Sequence, residues 1–345
     1  MMNDTPHAEI EIPEQAFTPF VLRRAQEWGD RPALVDGQTG RIVSYSQLYQ
    51  RIRHTAKSLV QRGYRKGDVF AFYSPNLPDY VIAVHAIATM GGIVTTVSPS
   101  RSGETLAGHL RASGAKALLT TAQLLPQAQE AAGQSSVQEI FTFDQADGAI
   151  PFNELFESIL AVNEAPTNAL LEPGHDLVAL SAGNSATDAF ALTPHTHADY
   201  VRNLCHLSVT DDLVAGDVFL LAVPVYRSYG MMLLNHALQH GATVVVLRQF
   251  ELAPFLTTAQ QYRATRAPLS DVILVALARQ STLERFALAS FRVFYVQAGQ
   301  ADDDMRHRCQ QHLHVAFKCV NEQQSYALAG CDSDYELSVS TASCA

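Results

Sequence analysis

Short, near-continuously apolar runs alternate with segments of helical spacing along most of this 345-residue chain. Residues 68–73, 93–97, 117–120, 137–143, 176–180, 218–223, 242–247 and 291–296 are such runs. A strand that is apolar on both faces must be covered on both faces. Parallel sheets joined by crossover helices meet that demand. The intervening segments supply the helices. Leu48, Ile52, Ala56, Leu59 and Val60 follow Ser44 at helical spacing, and Gly63 stops them. Residues 78–90 open on Pro78 and end at Gly91-Gly92, and 103–113, 231–240, 252–262 and 271–279 read as further helices. A helix is also expected over 18–28, with Phe20, Val21, Leu22 and Ala25 on its apolar side. One pair departs from the alternation. Residues 33–36 and 41–44 flank Gly37-Gln38-Thr39-Gly40, which is hairpin turn chemistry. The fold expected is α/β, with two layered subdomains of mostly parallel sheet flanked by helices.

Hydrophobic residues make up 47% of the chain and charged residues 17%, which supplies a large core and excludes disorder. The formal net charge of −10 argues against binding nucleic acid through its phosphates. The organisation expected is an arm over 1–17, a first α/β subdomain over 18–165, a second over 166–330, and a Ser-rich tail over 331–345. Five scattered cysteines fit free thiols in a reducing compartment. The N-terminus shows no signal peptide. The longest apolar stretch, 81–97, is interrupted by His85, Gly91 and Gly92, so no membrane span is expected. The default location is the cytoplasm.

Several segments, in order, resemble the N-terminal domain of the acyl-adenylate-forming enzymes, closest to the acyl- and aryl-CoA ligases. They include Gly29-Asp30-Arg31-Pro32-Ala33-Leu34, Ser44-Tyr45-Ser46-Gln47-Leu48, Ser74-Pro75-Asn76-Leu77-Pro78-Asp79-Tyr80 and Met90-Gly91-Gly92-Ile93-Val94. Asp217-Val218-Phe219, Tyr229-Gly230-Met231 and Gly241-Ala242-Thr243-Val244-Val245 continue the likeness, which spans about 18–329. The resemblance implies the large domain of such a ligase, without the small C-terminal domain that would follow.

The resemblance also assigns the site. The family cradles ATP phosphates with a Ser/Thr/Gly-rich loop ending in Pro-Lys-Gly, followed by a Thr-His pair. Here that loop is Ser181-Ala182-Gly183-Asn184-Ser185-Ala186-Thr187-Asp188-Ala189-Phe190, with Pro194-His195 after it. Ser181, Gly183, Ser185 and His195 are retained, and Asn184 and Thr187 are further candidates for nucleotide contact. The lysine position holds Ala189 and the proline before it is Asp188. An aspartate beside a triphosphate adds repulsion. The whole chain has only four lysines, Lys57, Lys66, Lys116 and Lys318. The Tyr-Gly-x-Thr-Glu run that covers adenine and holds Mg²⁺ corresponds to Asn321-Glu322-Gln323-Gln324-Ser325. Asn321 and Gln324 are the nucleotide candidates there, and Ser325 replaces the metal glutamate. The run that lines the acyl pocket is Gln297-Ala298-Gly299-Gln300. The histidine before the family's Tyr-Gly pair is Arg227, near Tyr226, Tyr229 and Gly230. Arg227 is either a carboxylate or phosphate anchor or a surface arginine. Tyr226 and Tyr229 are packing residues or ligand contacts.

His307, Cys309, His312, His314 and Cys319 lack the paired spacing of a zinc site. No catalytic residue and no metal ligand is assigned. The function expected is that of a degenerate acyl- or aryl-CoA-ligase-like protein. It would bind a small acyl or aryl carboxylate, or a ligase or carrier protein as partner. The alternatives are an ATP-dependent ligase, using ATP or AMP with Mg²⁺ and a C-terminal domain from another chain, and a non-catalytic scaffold of a true ligase.

Overall fold

The computed structural model describes residues 11–157, 171–182, 192–279, 286–297, 306–307, 309 and 313–320. Two mostly parallel seven-stranded sheets, each flanked by helices, organise them. The glycine-bracketed turn forms the expected hairpin of β1 (Pro32–Asp36) and β2 (Ile42–Ser44). The next five strands are β3 (Val69–Tyr73), β4 (Ile93–Val97), β5 (Ala117–Thr120), β6 (Glu139–Thr142) and β7 (Ile150–Pro151). With β8 (Leu177–Ala182) and β9 (Leu192–Thr196) they make one sheet in the order β7-β6-β5-β3-β4-β8-β9. The other sheet has β10 (Val218–Leu221), β11 (Thr243–Val246), β12 (Arg266–Leu269), β13 (Val293–Gln297) and β14 (Ala316–Val320). Its order is β14-β13-β12-β10-β11-β1-β2. Each sheet is parallel except for one antiparallel edge pair, β1–β2 or β8–β9. The two sheets exchange strands across residue 165. The β1–β2 hairpin joins the later strands, and β8–β9 joins the earlier ones.

The expected helix over 18–28 is two short helices, α1 (Phe17–Val21) and α2 (Ala25–Trp28). The break lets both ends bury large rings. Phe17, at the end of the expected arm, is fully buried and stacks on His85 with ring centroids 5.0 Å apart. Trp28 packs on Tyr45 at 4.7 Å. Helix α3 (Tyr45–Gln61) starts at a capping box. The Gln47 backbone N–H donates to Ser44 Oγ, and the Ser44 N–H donates back to Gln47 Oε1. Helix α4 (Pro78–Thr89) buries every residue but Asp79, as a helix packed on all sides must. The remaining helices are α5 (Gly103–Ser113), α6 (Leu125–Ala132), α7 (Glu154–Glu157), α8 (His197–Thr210), α9 (Ser228–Gln239), α10 (Leu252–Tyr262) and α11 (Asp271–Arg279). No helix among the described residues is long and apolar enough to cross a membrane.

Buried histidines tie the layers together. His85 meets Thr18 Oγ1 at 3.0 Å and Asn235 Oδ1 at 2.9 Å. The backbone N–H of Phe17 donates to His197 Nδ1 at 3.2 Å. Burial pushes His85, His109, His197 and His240 down to about 4. An unfolded histidine titrates near 6.5. Between these values the unfolded chain binds protons that the folded chain does not, so stability rises with pH there. The expected result is a thermal midpoint that is flat just above pH 7 and falls steadily from about pH 6.5 toward 4. A midpoint unchanged between pH 7 and 5 would contradict this role for the histidines.

Candidate functional site

The carboxyl ends of β4, β8 and β10 converge between the two sheets, the kind of position where open α/β folds bind ligands. There lies a narrow cleft of about 50 Å³. Strands β4 and β8 supply Val94, Thr96, Leu180 and Ser181, and the β10–α9 connection supplies Tyr226, Arg227 and Ser228. Room for a few water-sized groups is all that volume gives.

Two side chains hold this connection. Thr96 Oγ1 donates to the Tyr226 carbonyl at 2.8 Å, joining the sheets across the cleft. Asn76, buried ahead of α4, does more. Its amide donates to the carbonyls of Val223 at 2.9 Å and Leu247 at 3.1 Å, and its oxygen accepts from the Val225 N–H at 2.9 Å. That satisfies three of the amide's four hydrogen bonds with backbone that local structure leaves unpaired. Asn76 stands in a quoted segment of the resemblance, but nothing local in the sequence marks it as a brace.

Ser181 is near the end of β8 and His195 is on β9, where Ala179 pairs with His195. Ser181 Oγ and His195 Nε2 are 2.8 Å apart. Burial holds the His195 ring below its usual pKa, partly offset by Asp199, so the imidazole is neutral at pH 7. Ser181 lines the cleft, and His195, which does not, is its hydrogen-bond partner. Arg227 is the residue before α9. Its guanidinium is exposed at the cleft mouth, with no ion pair or side-chain hydrogen bond among the described residues. Tyr226 lines the cleft beside it. Tyr229 and Gly230 turn inward in α9 and do not line the cleft. Gly230 lies so close to Pro224 that an added Cβ would sit 2.3 Å from its carbonyl oxygen. These two residues therefore set where the connection runs. Gln297 closes β13, in register with Val320.

Gly183, Asn184, Ser185 and Thr187 lie outside the described residues, as do Asp188, Ala189 and Phe190. So do Ala298, Gly299, Asn321, Gln324, Ser325 and the tail over 331–345. Phe17, Thr96, Tyr200, Ser228 and Met231 also line the cleft, although no motif in the sequence marks them. Tyr200 and Met231 sit on helices α8 and α9, where helical periodicity marks an inward face but not what it faces. Of the expected metal-ligand types, His312 lies outside the described residues. Cys309 is buried in the core, with its Sγ directed at the Leu274 carbonyl.

The family model described as "AMP-binding enzyme" matches residues 21–328. The chain belongs to that family. This AMP-binding family member is 28% identical over 322 residues to 4-coumarate–CoA ligase 3 of Arabidopsis thaliana, covering 88% of this chain and 56% of that protein. It spans about half the length of the curated relatives it matches. A long-chain-fatty-acid-CoA ligase of Archaeoglobus fulgidus shares the fold, with a TM-score of 0.81 at 17% identity over 90% of this chain and 64% of that one. So does an anthranilate CoA ligase solved with anthranoyl-AMP, with a TM-score of 0.81 at 17% identity over 92% and 60%.

Proposed function

We propose that this AMP-binding family member binds a small acyl or aryl carboxylate in the central cleft and no longer adenylates it. The observation that carries the proposal is the Arg227 guanidinium, which stands unpaired among the described residues at the mouth of a largely apolar cleft. A guanidinium offers two parallel N–H groups that match a carboxylate. The apolar residues of β4 and β8 would take the acyl or aryl body once the half-buried Tyr226 side chain moves aside, and Ser181, hydrogen-bonded to His195, would orient its polar end. The narrow volume favours short or planar carboxylates over long chains. The relatives named for 4-coumarate and anthranilate make those two acids the first probes.

The phosphate half of the chemistry lacks its parts. Ala189 and Asp188 replace the lysine and proline of the family loop. Three of the four lysines are held in ion pairs: Lys66 with Asp176, Lys116 with Asp68, and Lys318 with Asp211 and Asp212. The fourth, Lys57, does not line the cleft. Among the described residues the cleft offers Mg-ATP one cation and no carboxylate. That donor set does not suit a metal–triphosphate pair. Loss of one such charge-stabilising donor costs about 10²–10³ in rate.

Calorimetric titration tests the proposal. Mg-ATP at millimolar concentration should give no binding heat. 4-Coumarate or anthranilate should bind, and Arg227→Met should weaken that binding by roughly tenfold or more. Carboxylate-dependent pyrophosphate exchange by the purified chain would overturn the reading and favour an active ligase. The retained Ser181 and His195 are what that second reading rests on.

A further inference from the structure

A second and larger pocket opens at the same carboxyl edge of the sheets and shares no lining residue with the central cleft. Its cavity volume is about 540 Å³. Asp36 ends β1, Arg248 follows β11, Phe143 follows β6, and Arg51 reaches in from α3. Phe152 and Phe156 complete an aromatic wall, and the Arg51 guanidinium lies 5.1 Å above the Phe156 ring.

The charges are unevenly committed. All four acidic residues of the pocket already have protein partners. Asp36 Oδ1 accepts from the backbone N–H groups of Gln38 and Thr39 at 2.9 and 3.0 Å. Asp79 is paired with Arg41. Asp144 Oδ1 accepts from the Ala122 N–H at 2.6 Å, and Glu157 Oε2 from the Asn153 amide at 3.0 Å. The remaining two cations are not so committed. Arg51 Nη1 and Arg248 Nε are buried and have no hydrogen-bond partner among the described residues. A buried guanidinium N–H left without an acceptor is costly, and native structures nearly always supply one. Burial, and then the neighbouring Arg41, hold Arg51 below the usual arginine pKa even with Asp79 and Glu157 nearby. Three guanidiniums and four carboxylates line the pocket, and Arg51 Nη1 and Arg248 Nε are the buried donors among them left without an acceptor.

We infer that this pocket binds a small molecule bearing an oxyanion, a phosphate or carboxylate that accepts from Arg51 and Arg248, with an apolar body against Phe143 and Phe156. The site is independent of the central cleft. Its ligand is a second molecule, an effector or a co-substrate, rather than the carboxylate of the cleft.

The probes are inorganic phosphate, phenyl phosphate and benzoate, titrated into the whole chain by calorimetry with thermal shift alongside. Phenyl phosphate or benzoate should bind and raise the thermal midpoint, and inorganic phosphate should bind more weakly for lack of the aromatic body. The stronger of the two aromatic anions identifies the head group. Arg51→Met and Arg248→Met should each weaken binding by roughly tenfold or more. Arg248→Met should keep the midpoint of the unliganded protein, and Arg51→Met should lower it only slightly through the lost stacking on Phe156. Arg51→Lys, which keeps the charge and loses the fork, should bind with intermediate strength. Arg227→Met in the central cleft should leave this binding unchanged. If no probe binds at millimolar concentration, or if Arg227→Met abolishes binding while the other two variants retain it, the inference is overturned.

Discussion

Arg266→Met is expected to lower the unfolding free energy by about 3–5 kcal/mol, the usual loss when one partner of a buried ion pair is removed. Arg266 starts β12 and is fully buried. Its Nε donates to Asp217 Oδ2 at 2.9 Å. Nη1 reaches Asp211 Oδ1 and the Tyr295 hydroxyl at 3.0 Å each, and Nη2 reaches Asp212 Oδ1 at 3.0 Å. Lys318 joins from β14, donating to Asp211 Oδ1 at 2.5 Å and Asp212 Oδ1 at 2.7 Å. Burial opposes charge on Asp211, but hydrogen bonds from His236, Lys318 and Tyr295 overcome it and hold the carboxyl well below the usual range. Without Arg266, the one charged partner left to Asp217 among the described residues is Arg292, which is half exposed, beside the neutral donors Thr265 Oγ1 and the Val214 N–H. Denaturant titration measures the loss. Arg292→Met serves as the comparison and should cost well under half as much, because a half-exposed pair contributes about 1 kcal/mol or less. Equal losses in the two variants would mean that Arg266 acts through packing alone. The sign with pH follows from the depressed carboxylates. Their contribution is present above the unfolded Asp value near 4 and is lost as pH falls below it.

Gly230→Ala is expected to disturb both stability and the cleft. The added Cβ would meet the Pro224 carbonyl oxygen at 2.3 Å and its carbon at 2.9 Å. Both atoms are backbone, so neither can swing aside. The β10–α9 connection must move away from the helix, straining the bond that Asn76 donates to the Val223 carbonyl and the one it accepts from the Val225 N–H. Overpacking of this kind costs about 1–3 kcal/mol. The displaced stretch carries Tyr226 and Arg227, so carboxylate affinity should fall by roughly tenfold as well. Ser228→Ala, on the same helix but without a clash, should retain most of the stability. A destabilised Gly230→Ala protein with unchanged carboxylate affinity would place the carboxylate away from this connection.

Much of the architecture was legible because it follows from local burial. Helices α5, α10 and α11 and strands β4 and β5 fall on the residues expected from periodicity and end signals. Helix α5 stops at Gly114, which takes a φ of +63°, the left-handed conformation that glycine adopts without strain. Strand β12 was not legible. Arg266-Ala267-Pro268-Leu269 puts an arginine and a proline where a central strand should be apolar and able to donate. It holds its place through β13, which pairs with all four residues, while its ladder to β10 is the single pair Phe219–Arg266. The arginine is tolerated because acids from the β10 approach converge on it.

The site divides in the same way. The sequence by itself determined the α/β class and the family resemblance, since each is a matter of residue identity or short-range period. Only the tertiary structure decided that the β1–β2 hairpin belongs to the later sheet and that Lys318 is spent on Asp211 and Asp212. It alone brought Phe17, Thr96 and Tyr200 to one cleft and left Arg51 Nη1 and Arg248 Nε buried without a hydrogen-bond partner among the described residues. Those outcomes depend on which distant segment covers each face, and short-range periodicity carries no record of the partner.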